Sequence, residues 1–300
     1  MTESMNQRVK TLLRIIHPRW HRTWPYKSFL VNQPLQFIYC PIPKVACTSL
    51  KNWFASLLLK PEVLNNCPDI HSATKKEFSL AQFSSSSARE ILQSYYTFAF
   101  VREPLERIES AFNNKFVRKR KNTVNQITVP VIEWVHVHLR NKKLSKSDKL
   151  VYETDSGGRY ELAIDPDLDY WESISFQEFV SYLCATKDKD LNQHWRPQSN
   201  FLPEHIKMNI FQLENLDQAK KALAEQLSIQ AVEIPTLNVC KKKVYEANQL
   251  QDYSCIPAGN LRKLPSHSGT VYTSRLRDRI GERYAHDLEL YSKAQIRQRT

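Results

Sequence analysis

The chain has 300 residues, of which 41% are hydrophobic and 25% charged, a balance typical of a globular protein with a sizeable core and not of a disordered chain. Five residues are glycine, which argues against phosphate loops of the Walker or dinucleotide-binding type, because both need several glycines. The formal net charge of +12 predicts an anionic partner: a nucleic acid, an acidic lipid, an acidic polysaccharide or a phosphorylated nucleotide.

The first 30 residues form a basic segment ahead of a single predicted domain that covers residues 31–300. Apolar residues recur in the segment with helical spacing, at Val9, Leu12, Leu13 and Ile16. This pattern predicts a short amphipathic helix that packs on the domain. A helix that lies on an anionic membrane surface is the alternative interpretation.

Three apolar runs predict buried strands, and each is followed by a segment with helical periodicity. The strands are predicted at Phe37 to Cys40, Tyr95 to Val101 and Met208 to Leu213, and the helices that follow them at Leu50 to Leu58, Pro104 to Phe116 and Asp217 to Leu227. Further helices are predicted at Phe176 to Leu183 and near the C-terminus. Residues 60–90 are predicted to be polar and irregular, and residues 117–170 to be mixed; both segments are predicted to be long insertions. Strands that alternate with helices indicate an α/β fold whose central parallel sheet is flanked by helices.

The turn from Pro41 to Ser49 joins the first predicted strand to its helix without a glycine. In open parallel sheets ligands bind beyond the carboxyl ends of the strands, so this turn lies at the expected binding edge. Thr48 and Ser49 are candidate N-caps, and a helix start that offers N–H groups, hydroxyls and Lys44 can bind a phosphate. Taken alone, the same residues could equally cap a helix and leave Lys44 solvated.

The second predicted strand ends at Arg102, which parallel pairing would bring to the same edge of the sheet. Two basic strand ends favour one ligand with two anionic groups over two unrelated structural cations. Arg107, one helical turn further on, is predicted to be a surface ion-pair partner of Glu103 or Glu106.

Two segments give the sequence a family resemblance. "PKVACTSLKNW" from Pro43 and "FVREPLERIESAF" from Phe100 have the order and spacing of the two nucleotide-binding motifs of carbohydrate sulfotransferases. The chain most resembles the chondroitin and dermatan 4-O-sulfotransferase group, in the second sulfotransferase family. "NQHWRPQ" from Asn192 and the ending "ERYAHDLELY" extend the resemblance over residues 37–291. It implies the P-loop-NTPase-like sulfotransferase fold.

The resemblance also implies a sulfuryl donor, 3′-phosphoadenylyl sulfate (PAPS), and no metal. The residues that would hold its 5′-phosphosulfate are Pro43, Lys44, Val45, Ala46, Cys47, Thr48 and Ser49. Arg102 and Ser110 would hold its 3′-phosphate. The acceptor implied is a hydroxyl of a carbohydrate, acidic glycans included, and not a nucleic acid.

Sulfuryl transfer needs a cation on the departing phosphate and a base for the acceptor proton. Lys44 is the candidate cation, and His71 and His194 are the candidate bases, because histidine titrates near neutral pH. Each could instead be a histidine that hydrogen-bonds a loop. His194 is slightly favoured, because Trp195 could exclude water and Arg196 could meet an acidic acceptor.

Two other function classes compete with this interpretation. A nucleotide kinase would need a glycine-rich loop and a magnesium-binding aspartate after a strand, and neither is evident. A non-catalytic polyanion-binding protein would account for the charge, particularly for the basic run from Lys115 to Lys121.

The cellular location is predicted from absences. The six cysteines lack CxxC or zinc-ligand spacing, no apolar run could span a bilayer, and no asparagine begins a glycosylation sequon. The sequence thereby departs from the animal enzymes that it resembles, which have an anchor helix and reside in the Golgi. We therefore expect a cytoplasmic protein, with membrane association as the alternative.

Overall fold

The computed structural model describes residues 18–118, 127–140, 149–153, 159–163, 173–230, 233–235, 251–264 and 269–294. The chain divides into two compact units that alternate along the sequence. The first unit comprises Met1–Glu103, Pro197–Val239 and Glu289–Thr300, and the second comprises Pro104–Arg196 and Cys240–Leu288. The single domain after a basic N-terminal segment stays a prediction, and the predicted N-terminal helix lies outside the described residues.

The regular elements of the described residues are eight strands and eleven α-helices. The strands are β1 (Leu30–Asn32), β2 (Phe37–Cys40), β3 (Tyr96–Val101), β4 (Lys149–Glu153), β5 (Arg159–Ala163), β6 (Asn209–Gln212), β7 (Gln251–Asp252) and β8 (Gly269–Thr270). The helices are α1 (Cys47–Ser56), α2 (Pro61–Asn65), α3 (Ile70–Phe78), α4 (Ser85–Ser94), α5 (Pro104–Phe112), α6 (Val129–His138), α7 (Phe176–Ala185), α8 (Leu216–Leu227), α9 (Ala258–Leu261), α10 (Ser274–Arg283) and α11 (Ala285–Lys293).

The first unit contains a four-stranded sheet with the order β1–β2–β3–β6. β2, β3 and β6 run parallel, with Cys40 opposite Ala99 and Val101 opposite Gln212. This confirms the three predicted strands and the central parallel arrangement. The sheet is mixed, because β1 pairs antiparallel with β2 at one edge. A strand of three residues is too short to give a periodicity signal in the sequence.

Aromatic packing around β3 holds this sheet together. Phe98 is fully buried, and its ring centroid lies 5.7 Å from that of Phe37, 5.5 Å from that of Tyr39 and 6.3 Å from that of Phe211. Trp53 of α1 stacks on Phe37 with 5.9 Å between centroids. The apolar faces of the strands and of α1 therefore bury one another, and α1 is fixed on the sheet directly after the predicted binding turn.

The core of the second unit is a cluster of aromatic rings between α5, α7 and the segment after α7. Phe112 lies 5.2 Å from Phe176 and 5.6 Å from Phe179, measured between ring centroids. Trp195 packs edge-on against Phe179 at 5.3 Å. These rings are almost fully buried and make up a core separate from that of the sheet.

The prediction that residues 60–90 are irregular is wrong, because α2, α3 and most of α4 lie there. Their boundaries depend on local capping, which the polar composition of the segment conceals. Pro61 opens α2, the Asp69 side chain caps α3, and the Ser84 side chain caps α4. Each helix buries at most two residues, so its apolar stripe is too narrow to stand out.

Two other helix boundaries differ from the prediction. The helix after β3 ends at Phe112 and continues as a π-helical turn over Asn113–Val117. The single helix predicted near the C-terminus is two helices, α10 and α11, separated at Tyr284.

The buried His21 predicts a loss of stability in acid. Its side chain is 2% exposed, and burial, assisted by the charge of Arg22, lowers its pKa below the ordinary 6.5. Between the lowered pKa and 6.5 the unfolded chain binds a proton that the folded chain does not. The free energy of unfolding should therefore fall as the pH is lowered through this interval.

Denaturant unfolding above and below pH 6.5 measures this dependence. His21→Gln should reduce the slope by up to about 1.4 kcal/mol per pH unit, because glutamine takes up no proton. His286→Gln, at an exposed position of α11, controls for the loss of a histidine. Equal slopes for His21→Gln and the unchanged protein would contradict the assignment.

Candidate functional site

The ends of β2 and β3 lie side by side at the carboxyl edge of the parallel sheet. Cys40 is the last residue of β2 and pairs with Ala99, two residues before the end of β3. The turn that follows Cys40 and the residue that follows Val101, Arg102, therefore both leave this edge of the first unit. The structure brings together the two strand ends that the sequence predicts to be neighbours.

The turn after β2 reverses direction through left-handed backbone conformations without glycine. Lys44 has φ 68° and Ala46 has φ 45°, in the region that L-residues avoid at a cost of about 1–2 kcal/mol each. Val45 between them is 1% exposed and anchors the turn in the core. Such strain persists where the surrounding structure enforces it, and it clusters at functional sites.

Helix α1 begins at Cys47, with Ala46 as its N-cap. The prediction that Thr48 or Ser49 caps the helix is wrong, because the left-handed turn starts the helix earlier and places both residues inside its first turn. No side chain in the described part of the chain caps α1. The N–H groups of a first helical turn have no acceptor within the helix, so this helix start is chemically suited to an anion.

His71 contacts the same helix start. Its Nε2 lies 3.2 Å from the Thr48 hydroxyl, within hydrogen-bond distance. Asp69 sets the start of α3 by accepting hydrogen bonds from the N–H groups of His71 at 3.0 Å and Ser72 at 3.3 Å. The Ser72 hydroxyl, followed by these N–H groups, lowers the pKa of the Asp69 carboxyl. One candidate base thus touches the predicted donor turn.

Lys51 is a cation on α1 that the sequence analysis passes over. It lies one helical turn after Cys47 and is half-buried. Burial lowers the pKa of its ammonium group, and the charges of Cys47 and Asp69 oppose that shift. The spacing of four residues from Cys47 could have indicated that Lys51 faces the same side of the helix.

Gln198 fixes the main chain of Arg102 by two hydrogen bonds. Its side chain is 0% exposed. Its Oε1 accepts from the Arg102 N–H at 2.9 Å, and its Nε2 donates to the Arg102 carbonyl at 2.8 Å. The side chain of Glu214 accepts from the next N–H, that of Glu103, at 3.2 Å. The end of β3 is therefore rigid, and Gln198 is a positioning residue that the sequence analysis missed within "NQHWRPQ".

The remaining predicted site residues belong to the second unit. Ser110 lies on α5 and is half-buried. Arg107, on the same helix, is 1% exposed, and its guanidinium donates to the carbonyls of Arg196 at 2.9 Å and Gln193 at 3.3 Å. The prediction that Arg107 lies at the surface is wrong, because its guanidinium is buried and donates to these main-chain carbonyls.

Trp195 and Arg196 are held by the protein itself. Trp195 is 0% exposed and belongs to the aromatic core, so its ring has no surface to offer an acceptor. The guanidinium of Arg196 donates to the carbonyls of Leu191 and Lys189. Burial lowers the pKa of Arg196, and the charges of Asp188 and Asp190 oppose this. Both residues hold in place the turn of residues 192–196, which carries His194. Sequence spacing could not distinguish this role from substrate binding.

His194 is half-buried within this turn. Its Nδ1 lies 2.7 Å from Oδ1 of Asn192, and its main-chain N–H donates to the same oxygen at 3.0 Å.

Within the described residues, no group of three or more His, Cys, Asp or Glu side chains could hold a metal ion.

Comparison with known proteins identifies the family. The profile described as "Sulfotransferase family" matches residues 27–294 of this chain. The chain belongs to the sulfotransferase family. This confirms the resemblance seen in the sequence, and the sulfotransferase family implies the P-loop-NTPase-like fold, in agreement with the mostly parallel sheet.

Among its curated relatives, this family member is similar to three kinds of carbohydrate sulfotransferase. It is 29% identical to carbohydrate sulfotransferase 14 of Mus musculus over 174 residues, which cover 57% of this chain and 38% of that protein. It is 27% identical to carbohydrate sulfotransferase 11 of Rattus norvegicus over 180 residues, 57% of this chain and 44% of that protein. It is 28% identical to carbohydrate sulfotransferase 12 of Xenopus laevis over 221 residues, 67% of this chain and 48% of that protein.

The chain thus spans less than half the length of the curated relatives that it matches. No solved structure matches it. The prediction of a cytoplasmic location is wrong. The relatives that the chain matches are carbohydrate sulfotransferases, and the resemblance to this group implies Golgi residence. Among the described residues, none of the helices combines the length and apolar character required to cross a bilayer.

The hydrogen bonds of Gln198 predict that replacing this side chain will clearly destabilise the folded chain. Gln198→Leu should lower the free energy of unfolding by about 1–3 kcal/mol, because it removes the two hydrogen bonds that the buried Gln198 side chain makes with the main chain of Arg102. Chemical denaturation measures this change. Gln193→Leu, at an exposed position of the same segment, is the matched control and should change stability by less than about 0.5 kcal/mol. Equal stability of the two variants would refute the role assigned to Gln198.

Proposed function

We propose that this chain is a PAPS-dependent sulfotransferase that moves a sulfuryl group to a hydroxyl of a carbohydrate by in-line displacement, with a histidine as general base. The observation that carries the proposal is the meeting of the glycine-free turn and Arg102 at the carboxyl edge of one parallel sheet, in a member of the sulfotransferase family. The names of the relatives support a carbohydrate acceptor.

The residues of the turn fit a phosphosulfate group. Lys44 and Ala46 have left-handed backbone conformations, and Ala46 and Cys47 have side chains small enough for an anion to approach the backbone of the turn. The uncapped start of α1, the Thr48 hydroxyl and the Lys44 ammonium supply donors and positive charge. Arg102 would hold the 3′-phosphate, and Ser110 would assist it. The scheme requires no metal.

In the transfer, the acceptor oxygen forms a bond to sulfur while the bond from sulfur to the bridging phosphate oxygen breaks, which leaves adenosine 3′,5′-bisphosphate. The acceptor proton passes to an imidazole nitrogen of the protein. Lys44 and the N–H groups at the start of α1 would stabilise the charge that develops on the departing phosphate. Because transfer of this kind needs little covalent chemistry from the enzyme, positioning and electrostatics would supply most of the acceleration.

Two histidines remain candidates for the base. The contact of His71 with Thr48 supports a place beside the transferring group, either as the base or as a residue that orients the turn. The contact of His194 with Asn192 supports a base with a fixed tautomer. We favour His194, because the hydroxyl of Thr48 already engages Nε2 of His71.

Lys44 and Arg102, the two strand-end cations, are proposed to bind the two anionic groups of the donor. This assignment predicts the effect of removing either cation. Lys44→Ala and Arg102→Ala should each weaken binding of adenosine 3′,5′-bisphosphate by about 100-fold or more, because each removes a charge-assisted contact to one phosphate. Lys44→Gly should behave in the same way with an intact fold, because glycine adopts φ 68° without strain.

Calorimetric titration measures the affinity, and circular dichroism verifies the fold. Lys76→Ala and Arg275→Ala, at exposed positions, are the matched controls and should bind as tightly as the unchanged chain. Undiminished affinity in either strand-end variant would overturn the assignment. If the unchanged chain transfers no radiolabelled sulfate from PAPS to any glycan pool but binds polyanions in a salt-sensitive way, it is a polyanion-binding protein instead.

The base assignment predicts a separation of turnover from donor affinity. His194→Ala should lower turnover by about 10²- to 10⁴-fold while the affinity for adenosine 3′,5′-bisphosphate stays the same, because a base acts on the acceptor proton. His71→Ala tested in parallel shows which of the two histidines is required. Transfer of labelled sulfate to a glycan pool measures turnover. Full activity in both variants would place the base elsewhere.

A further inference from the structure

The turn that carries His194 is closed by hydrogen bonds within itself. The carbonyl of Asn192 accepts from the N–H groups of Trp195 at 3.1 Å and Arg196 at 2.9 Å. The side-chain oxygen of Asn192 accepts from the N–H of His194 at 3.0 Å. Asn192 therefore organises the turn with both its main chain and its side chain.

Buried groups of the second unit also hold this turn from outside. The guanidinium of Arg107 binds the carbonyls of Gln193 and Arg196, on either side of His194. The hydroxyl of Tyr284 donates to the carbonyl of Trp195 at 2.5 Å, and the Trp195 ring is packed in the core. The main chain around His194 is consequently rigid, so its imidazole projects from a fixed position.

The hydrogen bonds identify which nitrogen of His194 carries hydrogen. A main-chain N–H can only donate, so the Asn192 atom that faces the N–H of His194 must be the oxygen Oδ1 and not the amide nitrogen. An amide oxygen can only accept. Since Nδ1 of His194 lies 2.7 Å from the same oxygen, Nδ1 must be the donor in this contact.

We propose that Asn192 is the positioning residue that fixes neutral His194 in the tautomer with hydrogen on Nδ1, so that Nε2 is its basic nitrogen, and that Arg107 holds the turn in which this contact forms. The functional consequence rests on the proposed role of His194 as the base. There, Nε2 takes the acceptor proton and the ring becomes an imidazolium. The bond from Nδ1–H to Asn192 then becomes charge-assisted and stronger, which favours the proton transfer.

The tautomer can be observed without any turnover. Nitrogen NMR of the full chain labelled with ¹⁵N-histidine distinguishes protonated from unprotonated ring nitrogens, and comparison with His194→Gln assigns the signals. At a pH where the ring is neutral, the unchanged chain should show hydrogen on Nδ1 of His194. Asn192→Ala should lose this preference, and Asn192→Asp should retain it because a carboxylate also accepts. Gln193→Ala, whose side chain is exposed in the same turn, is the matched control.

Kinetics give a second readout. Asn192→Ala should lower kcat by about tenfold while KM for the donor stays the same, and Asn192→Asp should recover most of the loss. Arg107→Met should weaken the tautomer preference as Asn192→Ala does. If Arg107→Met fails to fold, the variants at residue 192 still decide the question.

The outcomes separate this inference from the proposed function. Hydrogen on Nε2 in the unchanged chain, or an unaltered tautomer in Asn192→Ala, would overturn the inference whatever the activity. The expected tautomers together with full turnover in His194→Ala would support the positioning by Asn192 but remove His194 as the base. The expected tautomers together with loss of turnover in His194→Ala would support both.

Discussion

The parallel pairing of β2 with β3 is the constraint on which the candidate site depends. Its register sets Cys40 opposite Ala99, so that the turn after β2 and Arg102 after β3 leave the sheet together. The rings packed around Phe98 favour this register, because a slip by one residue would break the contacts of Phe98 with Phe37 and Tyr39. Beyond the end of β3, two hydrogen bonds with the side chain of Gln198 hold the main chain of Arg102 in place. The closeness of the two strand ends that are proposed to bind the donor therefore follows from the sheet and not from the surface loops.

The sequence predicts this part of the molecule well for a physical reason. Strands buried on both faces are continuous apolar runs, and the position of a strand end in a parallel sheet follows from topology. The short helices between α1 and β3 escaped prediction because single capping side chains such as Asp69 decide their bounds. The prediction that Arg107 lies at the surface was wrong, and the packing of Trp195 on Phe179 was not predicted, because their partners are main-chain carbonyls and a ring that lie far away in the sequence. No local pattern carries that information.

The same contacts alter the meaning of the high positive charge. Several arginines donate hydrogen bonds to main-chain carbonyls of the protein. Arg107 and Arg196 do so at the turn around His194. Arg283 donates to the carbonyls of Leu183 at 2.8 Å and Thr186 at 3.1 Å. Arg140 forms a paired contact with Glu178 and binds the carbonyl of Ser173. Arginine suits this task because its planar fork of donors can bind two carbonyl oxygens at once. The guanidinium groups of these arginines are therefore occupied by partners within the protein, so the net charge of +12 is not a count of the cations that contact a ligand.

The left-handed conformations of Lys44 and Ala46 limit which sequences can build this loop. In a library randomised at position 46, glycine, asparagine and aspartate would survive on conformational grounds, and valine, isoleucine and threonine would be depleted. Position 44 would accept glycine on the same grounds, so the backbone alone gives no reason for the lysine found there. Backbone strain at a residue other than glycine persists where its side chain is needed, and in the proposed site Lys44 supplies an ammonium group at the carboxyl edge of the sheet.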